Sequence, residues 1–176
     1  KAVKEVAHDM HIHAFSALEV TQGASTLGIP IKEFLYRLAD AGLASLPGTA
    51  AEILDDGVRD TLCPDKLKTQ EWLSVHQSAH ELGLRTTATI MFGHIDGPLS
   101  WAKHILHVKR LQMKTNGFTE FVPLPFVHME APIYLKGQAR KGPTLRESLL
   151  MPAIARLVLS PEFVNIQGSW VKMGSE

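Results

Sequence analysis

A parallel α/β architecture of the (β/α) TIM-barrel type, present in part rather than whole, is what this sequence predicts. Three observations carry the prediction. The apolar residues switch repeatedly between short strand-like runs and longer runs spaced i, i+3, i+4 and i+7. No tight hairpin signal joins one strand-like run to the next, which argues for parallel pairing. Polar and ionisable residues recur at the C-terminal ends of successive strands, and no Gly-rich dinucleotide loop follows any of them. That favours a barrel over an open doubly wound sheet.

The elements follow in order. Lys1–Asp9 (KAVKEVAHD) has a helical pattern, and Met10–Ser16 (MHIHAFS) reads as a strand. Ile31–Ala41 is a helix carrying Phe34, Leu35, Leu38 and Ala41 on one face, closed by Gly42. Leu43–Leu46 is the next strand. Thr69–Leu82 is a helix that starts around Thr69, Glu71 and Trp72 and ends at Gly83. Strands Arg85–Phe92 (RTTATIMF) and Phe118–Leu124 (FTEFVPL) flank a helix at Leu99–Lys114. Pro123–Pro143, with Pro123, Pro125, Pro132 and Gly137, is irregular and too long for an ordinary barrel connection. It either shapes a pocket over the catalytic face or is a plain surface excursion. Helix Leu145–Leu159 and strand Phe163–Ser169 complete the series. A full barrel needs about 250 residues, so this chain is expected to supply roughly five of eight units, the third to the seventh, as one partial domain over residues 1–176. Both ends lack capping or turn chemistry, and the expectation is an internal piece of a longer protein. Such a piece leaves open sheet edges and is expected to be poorly stable and self-associating by itself.

With 18 basic and 18 acidic residues, the chain gives no reason to expect nucleic acid or an anionic membrane as partner. No apolar run approaches the roughly 18–20 residues of a membrane helix, and no signal-peptide pattern is present; a cytoplasmic location is expected. Cys63 is the single cysteine, which excludes an internal disulfide or a cysteine cluster. It sits in TLCPDK with no base or positive field evident nearby, and is expected to be a bystander.

Several side chains could carry chemistry. Alternation puts His11 and His13 on one face of a strand, where they could bind a divalent metal with His94 and His128 as further ligands. That pair resembles amidohydrolase-type barrels, but no late-strand aspartate accompanies it. The other reading makes the histidines core or substrate-contacting groups, and the expected metal set is none. Glu19, Glu52 and Glu120 each lie at or just after a strand. Glu120 stands within an apolar strand, so it faces a polar pocket or pairs with Arg140 or Arg146. Glu52 follows a sharp Pro47–Gly48 turn and is expected to enter a short helix whose free N–H groups, with the Thr49 hydroxyl, could meet a ligand; the helix dipole alone would also favour it there. Thr87 and Thr89 share one strand face and either point into the barrel mouth or simply suit a strand. Gln167 and Trp170 near the last strand could contact a ligand.

Five segments in order, HIHAFSALEV, AGLASLPGTAAEILDDGVRDTLCPDK, TTATIMFGH, NGFTEFVPLPFVHMEAPIY and NIQGSWVKMG, resemble the tyrosine 4-hydroxyphenyl transferase part of FO synthase, in the radical S-adenosylmethionine family. The resemblance covers essentially the whole chain. Dehypoxanthine futalosine cyclase and aminofutalosine synthase, of menaquinone biosynthesis, are similar in general frame, but the cyclase tends to carry PGGGAEIL where this chain has PGTAAEIL. The resemblance implies a radical S-adenosylmethionine barrel with a 4Fe–4S cluster on three cysteines of a CxxxCxxC loop. It implies an enzyme that moves the 4-hydroxybenzyl group of L-tyrosine to 5-amino-6-(D-ribitylamino)uracil, the glycine remainder leaving as an imino acid, in FO (deazaflavin coenzyme) biosynthesis. It further implies a second FO synthase radical enzyme as fused or separate partner. CxxxCxxC is absent here, so the cluster ligands are expected outside this stretch and the segment alone is expected to be inactive. Asn116 stands where the family usually has the first of two glycines, a small departure because asparagine tolerates positive φ. Two other readings stay open: a metal-dependent hydrolase using His11 and His13, and a truncated barrel kept as an interaction module.

Overall fold

In a computed structural model, which describes residues 1–169, strands and helices alternate along the chain. The order is α1 (Ala2–Val6), α2 (Ala17–Leu27), α3 (Ile31–Asp40), β1 (Ser45–Leu46), α4 (Asp56–Leu62), α5 (Thr69–Glu81), β2 (Arg85–Phe92), α6 (Pro98–Thr115), β3 (Phe118–Pro125), α7 (Pro132–Leu135), α8 (Leu145–Leu159) and β4 (Asn165–Ile166). The four strands form one sheet in the order β1-β2-β3-β4, every pair parallel. Each crossover carries a helix, as parallel pairing requires. The result is a partial β/α barrel.

The helices lie side by side, α5 against α3 and α6, and α6 against α8. They cover one face of the sheet with a single core that includes Leu35, Leu46, Trp72, Val75, Ile90, Ile105, Val108, Phe121 and Phe163. Along β2 the residues under the helices are Thr86, Ala88, Ile90 and Phe92, all buried, whereas Thr87 and Met91 on the other face are only half-buried. Glu120, Val122 and Leu124 of β3 are half-buried in the same way. The register sets Thr89 beside Val122 and Met91 beside Leu124, so these residues share one face, which corresponds to a barrel interior.

Some elements differ from the sequence expectation. Strand β4, expected at Phe163–Ser169, is only Asn165–Ile166, the two residues that pair with β3. Met10–Ser16 is extended, but it touches the sheet only as an isolated bridge, His13 to Ser45, with Ala14 N–H on Ser45 O at 3.2 Å and Ala44 N–H on Ile12 O at 2.9 Å. Helix α2 was not anticipated, because Val20, Thr21, Gly23 and Thr26 are weak helix formers. Its start is marked by a capping box: Ser16 N–H donates to Glu19 Oε2 at 2.8 Å and Ser16 Oγ accepts from Glu19 N–H. Gly23 is required there by close approach, since a Cβ would stand 2.4 Å from the Phe34 ring. Finally, β3 runs on through Pro123 and Pro125 instead of dissolving into loop. Phe126 N–H bonds Phe92 O and Gln167 N–H bonds Phe121 O, so alternate residues from Phe121 onward face the β4 side. Both prolines fall on that side beyond the end of β4, where no N–H is required.

Three histidines are packed among the helices on the outer side of the sheet. His76 is sandwiched between Trp72 and Phe118, with ring centroids 3.9 and 5.7 Å away. His80 bridges the hydroxyls of Thr115 and Thr86 at 2.7 and 2.8 Å. His104 Nδ1 accepts the Leu54 N–H at 2.9 Å. Burial pushes their pKa values down to about 3, about 4 and about 3 respectively. The folded state therefore keeps them neutral while the unfolded chain, titrating near 6.5, takes protons. Their contribution to stability is present above that pH and is lost as the pH falls from about 6.5 toward 3–4. Urea unfolding at pH 7 and at pH 5 should show the protein less stable at pH 5, by about 2 kcal/mol for each histidine.

Candidate functional site

The half-buried face gathers most of the candidate residues. Ser45 lies at the start of β1, two residues before the Pro47–Gly48 turn, and its hydroxyl sits between two imidazoles: His11 Nε2 at 2.7 Å and His13 Nδ1 at 2.6 Å. Ser45 was not foreseen. The strand alternation that put His11 and His13 on one face could have found it only with the pairing register in hand. Across the face, Gln167 Nε2 donates to the Glu120 carboxylate, from positions brought together by the Glu120–Asn165 register of β3 and β4. Neither arginine proposed as partner reaches Glu120. Arg140 instead pairs with Glu147 at 2.8 Å, holding that carboxyl at a pKa of about 2, and Arg146 lies by α6 and α8.

Thr87 and Thr89 hold the neighbouring loop. Thr87 Oγ1 accepts the Gly48 N–H at 2.8 Å, and Thr89 Oγ1 donates to Gly48 O at 2.6 Å. Beyond Gly48 the chain runs beside β2 as far as Glu52, whose carbonyl accepts the Met91 N–H at 2.8 Å. Glu52 is therefore in a loop and not on a short helix; its φ is 44°, α4 starts only at Asp56, and its carboxylate pairs with Lys66 at 2.6 Å. Thr49 is exposed, with its carbonyl accepting Trp72 Nε1–H at 3.3 Å. Under this loop lies Arg59, 1% exposed, donating to the carbonyls of Ala50, Ala51, Ile53 and Leu67. No sequence signal marks an arginine in a surface-like DDGVRD run as the anchor of a loop eight residues earlier.

Glu19 and His94 have local tasks. Glu19 completes the α2 capping box, and the Ser16 hydrogen bonds lower its pKa. His94 is buried; its Nδ1 accepts the Ile95 N–H at 2.8 Å, so Nε2 carries the proton toward Met91 O at 3.0 Å. That ring is neutral, in line with the downward pKa shift imposed first by burial. Asp96, 3.3 Å from Nδ1, is engaged by the N–H groups of Gly93 and His94 and by the Trp101 indole. His128 packs edge-on against Tyr134, with ring centroids 4.7 Å apart. Neither histidine joins His11 and His13, and among the described residues no three His, Cys, Asp or Glu side chains gather as a metal set. The long segment after β3 packs on the mouth: Arg140 N–H bonds His94 O, and Gly93 lies so close to Pro143 that a Cβ would be 2.3 Å from it. Trp170 lies outside the described residues.

Cys63 is buried at the end of α4, and burial pushes its thiol up, which disfavours a thiolate nucleophile or ligand. A separate cavity of about 400 Å³ lies between α6 and α8. Pro98, Trp101, Ile105, Met151 and Ile154 make it apolar; it is on the helix side of the sheet and contains none of the candidates. No helix among the described residues is long and apolar enough to cross a membrane.

No family model matches the chain. It is 53% identical to an FO synthase of Streptomyces avermitilis over 176 residues, all of this chain and 20% of that protein. It is also 51% identical to a 5-amino-6-(D-ribitylamino)uracil–L-tyrosine 4-hydroxyphenyl transferase of Methanocaldococcus jannaschii over 179 residues, 100% of this chain and 50% of that one. In both cases the similarity runs along the whole of this chain. A transferase of the same name from Methanothermobacter thermautotrophicus is 51% identical over 174 residues, 99% of the chain and 47% of the relative. The chain thus spans about a fifth of the FO synthase and about half of each transferase.

Gly48, Thr87 and Thr89 tie together the segments PGTAAEIL and TTATIMFGH. A Cβ on Gly48 would meet Thr87 O at 2.3 Å and Ala88 Cα at 2.8 Å, backbone that has no room to give. Gly48→Ala should destabilise the protein by about 1–3 kcal/mol, read as a lowered melting temperature. Gly57→Ala, whose Cβ would meet nothing closer than 3.8 Å, should leave it unchanged or slightly raised.

Proposed function

We propose that this segment forms one wall of the substrate cavity of an enzyme that transfers the 4-hydroxybenzyl group of L-tyrosine to 5-amino-6-(D-ribitylamino)uracil, in FO biosynthesis. The observation that carries the reading is the identity of about one half, along the whole segment, to proteins named for that transfer. In this reading the segment is the third to seventh units of an eight-unit barrel over residues 1–176. Its partner is the second FO synthase enzyme, in the same chain or a separate one.

The face has the layout such a task needs. His13 belongs to the edge segment beside β1, and Glu120 to β3, three strand spacings away. At about 4.8 Å per spacing that is roughly 14 Å, room for two small substrates on one face. We assign the His11–Ser45–His13 group to the amino acid. Glu120 and Gln167 receive the polar N–H groups of the uracil. Met91, Val122 and Leu124 between them exclude water from an aromatic fragment. Thr87, Thr89 and Arg59 hold the Pro47–Leu54 loop that shapes the rim, with Thr49 exposed on it.

S-adenosylmethionine and a 4Fe–4S cluster are the cofactors this reading implies. One buried, protonated cysteine does not fit cluster ligation, so the cluster ligands belong to other parts of the enzyme. The polar, half-buried face would fit the cofactor's amino-acid and sulfonium groups. When bound in the whole enzyme, S-adenosylmethionine supplies the carbon radical that begins the transfer. This segment's residues bind, orient and keep water out.

The test is product formation by the full-length protein from tyrosine and 5-amino-6-(D-ribitylamino)uracil. The wild type should make the 4-hydroxybenzyl adduct, and Glu120→Ala should lower kcat/KM by about tenfold or more. Conversion of dehypoxanthine futalosine in place of tyrosine, or an unchanged Glu120→Ala variant, would contradict the assignment.

A further inference from the structure

The arrangement around Ser45 constrains protons as well as positions. A serine hydroxyl has one hydrogen to donate, and here two imidazole nitrogens lie within 2.7 Å of the same oxygen. Its oxygen could accept from both rings, but Ser45 Oγ has no other partner among the described residues, so the arrangement that uses its hydrogen has one ring accepting from Ser45 while the other donates to it. If Ser45 donates to His11 Nε2, His11 holds its proton on Nδ1, and His13 donates from Nδ1 and leaves Nε2 as a bare acceptor. If the hydroxyl turns to His13, both tautomers reverse. The tautomers of the two rings are locked together through one rotatable hydroxyl. The outward nitrogens, His11 Nδ1 and His13 Nε2, make no hydrogen bond among the described residues, and both histidines are exposed on the sheet face. Ser45 itself is 7% exposed, so water does not compete freely for its proton.

We propose that His11, Ser45 and His13 form a proton relay in which His13 Nε2 takes a proton from the substrate and His11 stores it. The inference rests on the transferase reading for the identity of the donor, which is the ammonium of the amino-acid substrate. An amine can leave as an imine only when its nitrogen has a free lone pair, so the ammonium must first give up a proton. The ammonium N–H bond breaks and His13 Nε2 gains that proton. His13 Nδ1 passes its own proton to Ser45 Oγ, and the Ser45 proton moves to His11 Nε2. The free amine remains, Ser45 is a hydroxyl again, and His11 is an imidazolium; charge and atoms balance without any oxidant. His13 is the residue that touches the substrate, while Ser45 and His11 act through it.

The test uses the full-length protein labelled with ¹⁵N-histidine, together with Ser45→Ala and Ser45→Thr variants. The ¹⁵N shifts should show His11 and His13 as neutral rings of the same tautomer, both Nδ1–H or both Nε2–H, so that one is protonated on the nitrogen facing Ser45 and the other is not. Ser45→Ala should abolish that linkage and lower kcat for tyrosine by about tenfold or more with little change in KM. Ser45→Thr, which keeps the hydroxyl, should restore both. Unlinked tautomers in the wild type, or a Ser45→Ala variant that turns over normally, would overturn the relay. If Ser45→Ala does not fold, the wild-type and Ser45→Thr spectra decide the point. Linked tautomers in a protein that makes no tyrosine-derived product would sink the transferase reading and the ammonium assignment, while the relay stood.

Discussion

The mouth of this half-barrel depends on one buried charge. Arg59 is enclosed under the loop that follows β1, and its guanidinium is spent on backbone carbonyls. A buried ion is costly unless its donors are satisfied, and here the fork geometry of arginine matches carbonyls that a loop otherwise leaves free. The same contacts hold Ala50, Ala51 and Ile53 in place, which carries Gly48 against β2 and sets Glu52 beside Met91. From that point the rim is defined: Thr87 and Thr89 grip Gly48, and the exposed Thr49 is presented on it. A lysine at position 59 could not make this fan of bonds.

How legible the fold was depended on the kind of signal. Helices α3, α5, α6 and α8 followed from apolar period, and α3 and α5 also from Gly42 and Gly83 just past their ends, because those cues are local. Strands β2 and β3 followed from β-branched and aromatic runs. Helix α2 escaped because its interior is poor in helix formers, although Ser16 and Glu19 spelled its start. The extent of the Met10–Ser16 and Asn165–Ile166 segments could not be read from sequence, since strand length depends on what neighbours offer for pairing.

The site divided in the same manner. Alternation placed His11 with His13 and Thr87 with Thr89, Glu120 stood out as a lone carboxylate in an apolar strand, and the structure brings all of these onto one face. What alternation could not supply was the partner across the sheet. Ser45 and Gln167 meet their partners through strand register, a long-range property, so Gln167 rather than an arginine answers Glu120. The threonine hydroxyls, free in a sequence reading, are bound to Gly48 and shape the site from behind. His94 looked available because it follows a strand, but its backbone turn consumes both ring nitrogens.

The central claim is that the open face of the sheet, and not the apolar groove between α6 and α8, receives the amino-acid substrate. Hydrogen exchange of the full-length protein with and without saturating L-tyrosine, resolved by peptide, tests it most directly. The account predicts slowed exchange in residues 10–16, 43–52, 85–92 and 118–125, with α6 and α8 unchanged. Tyrosine-dependent protection confined to α6 and α8, or binding with no protection of those strand segments, would contradict it.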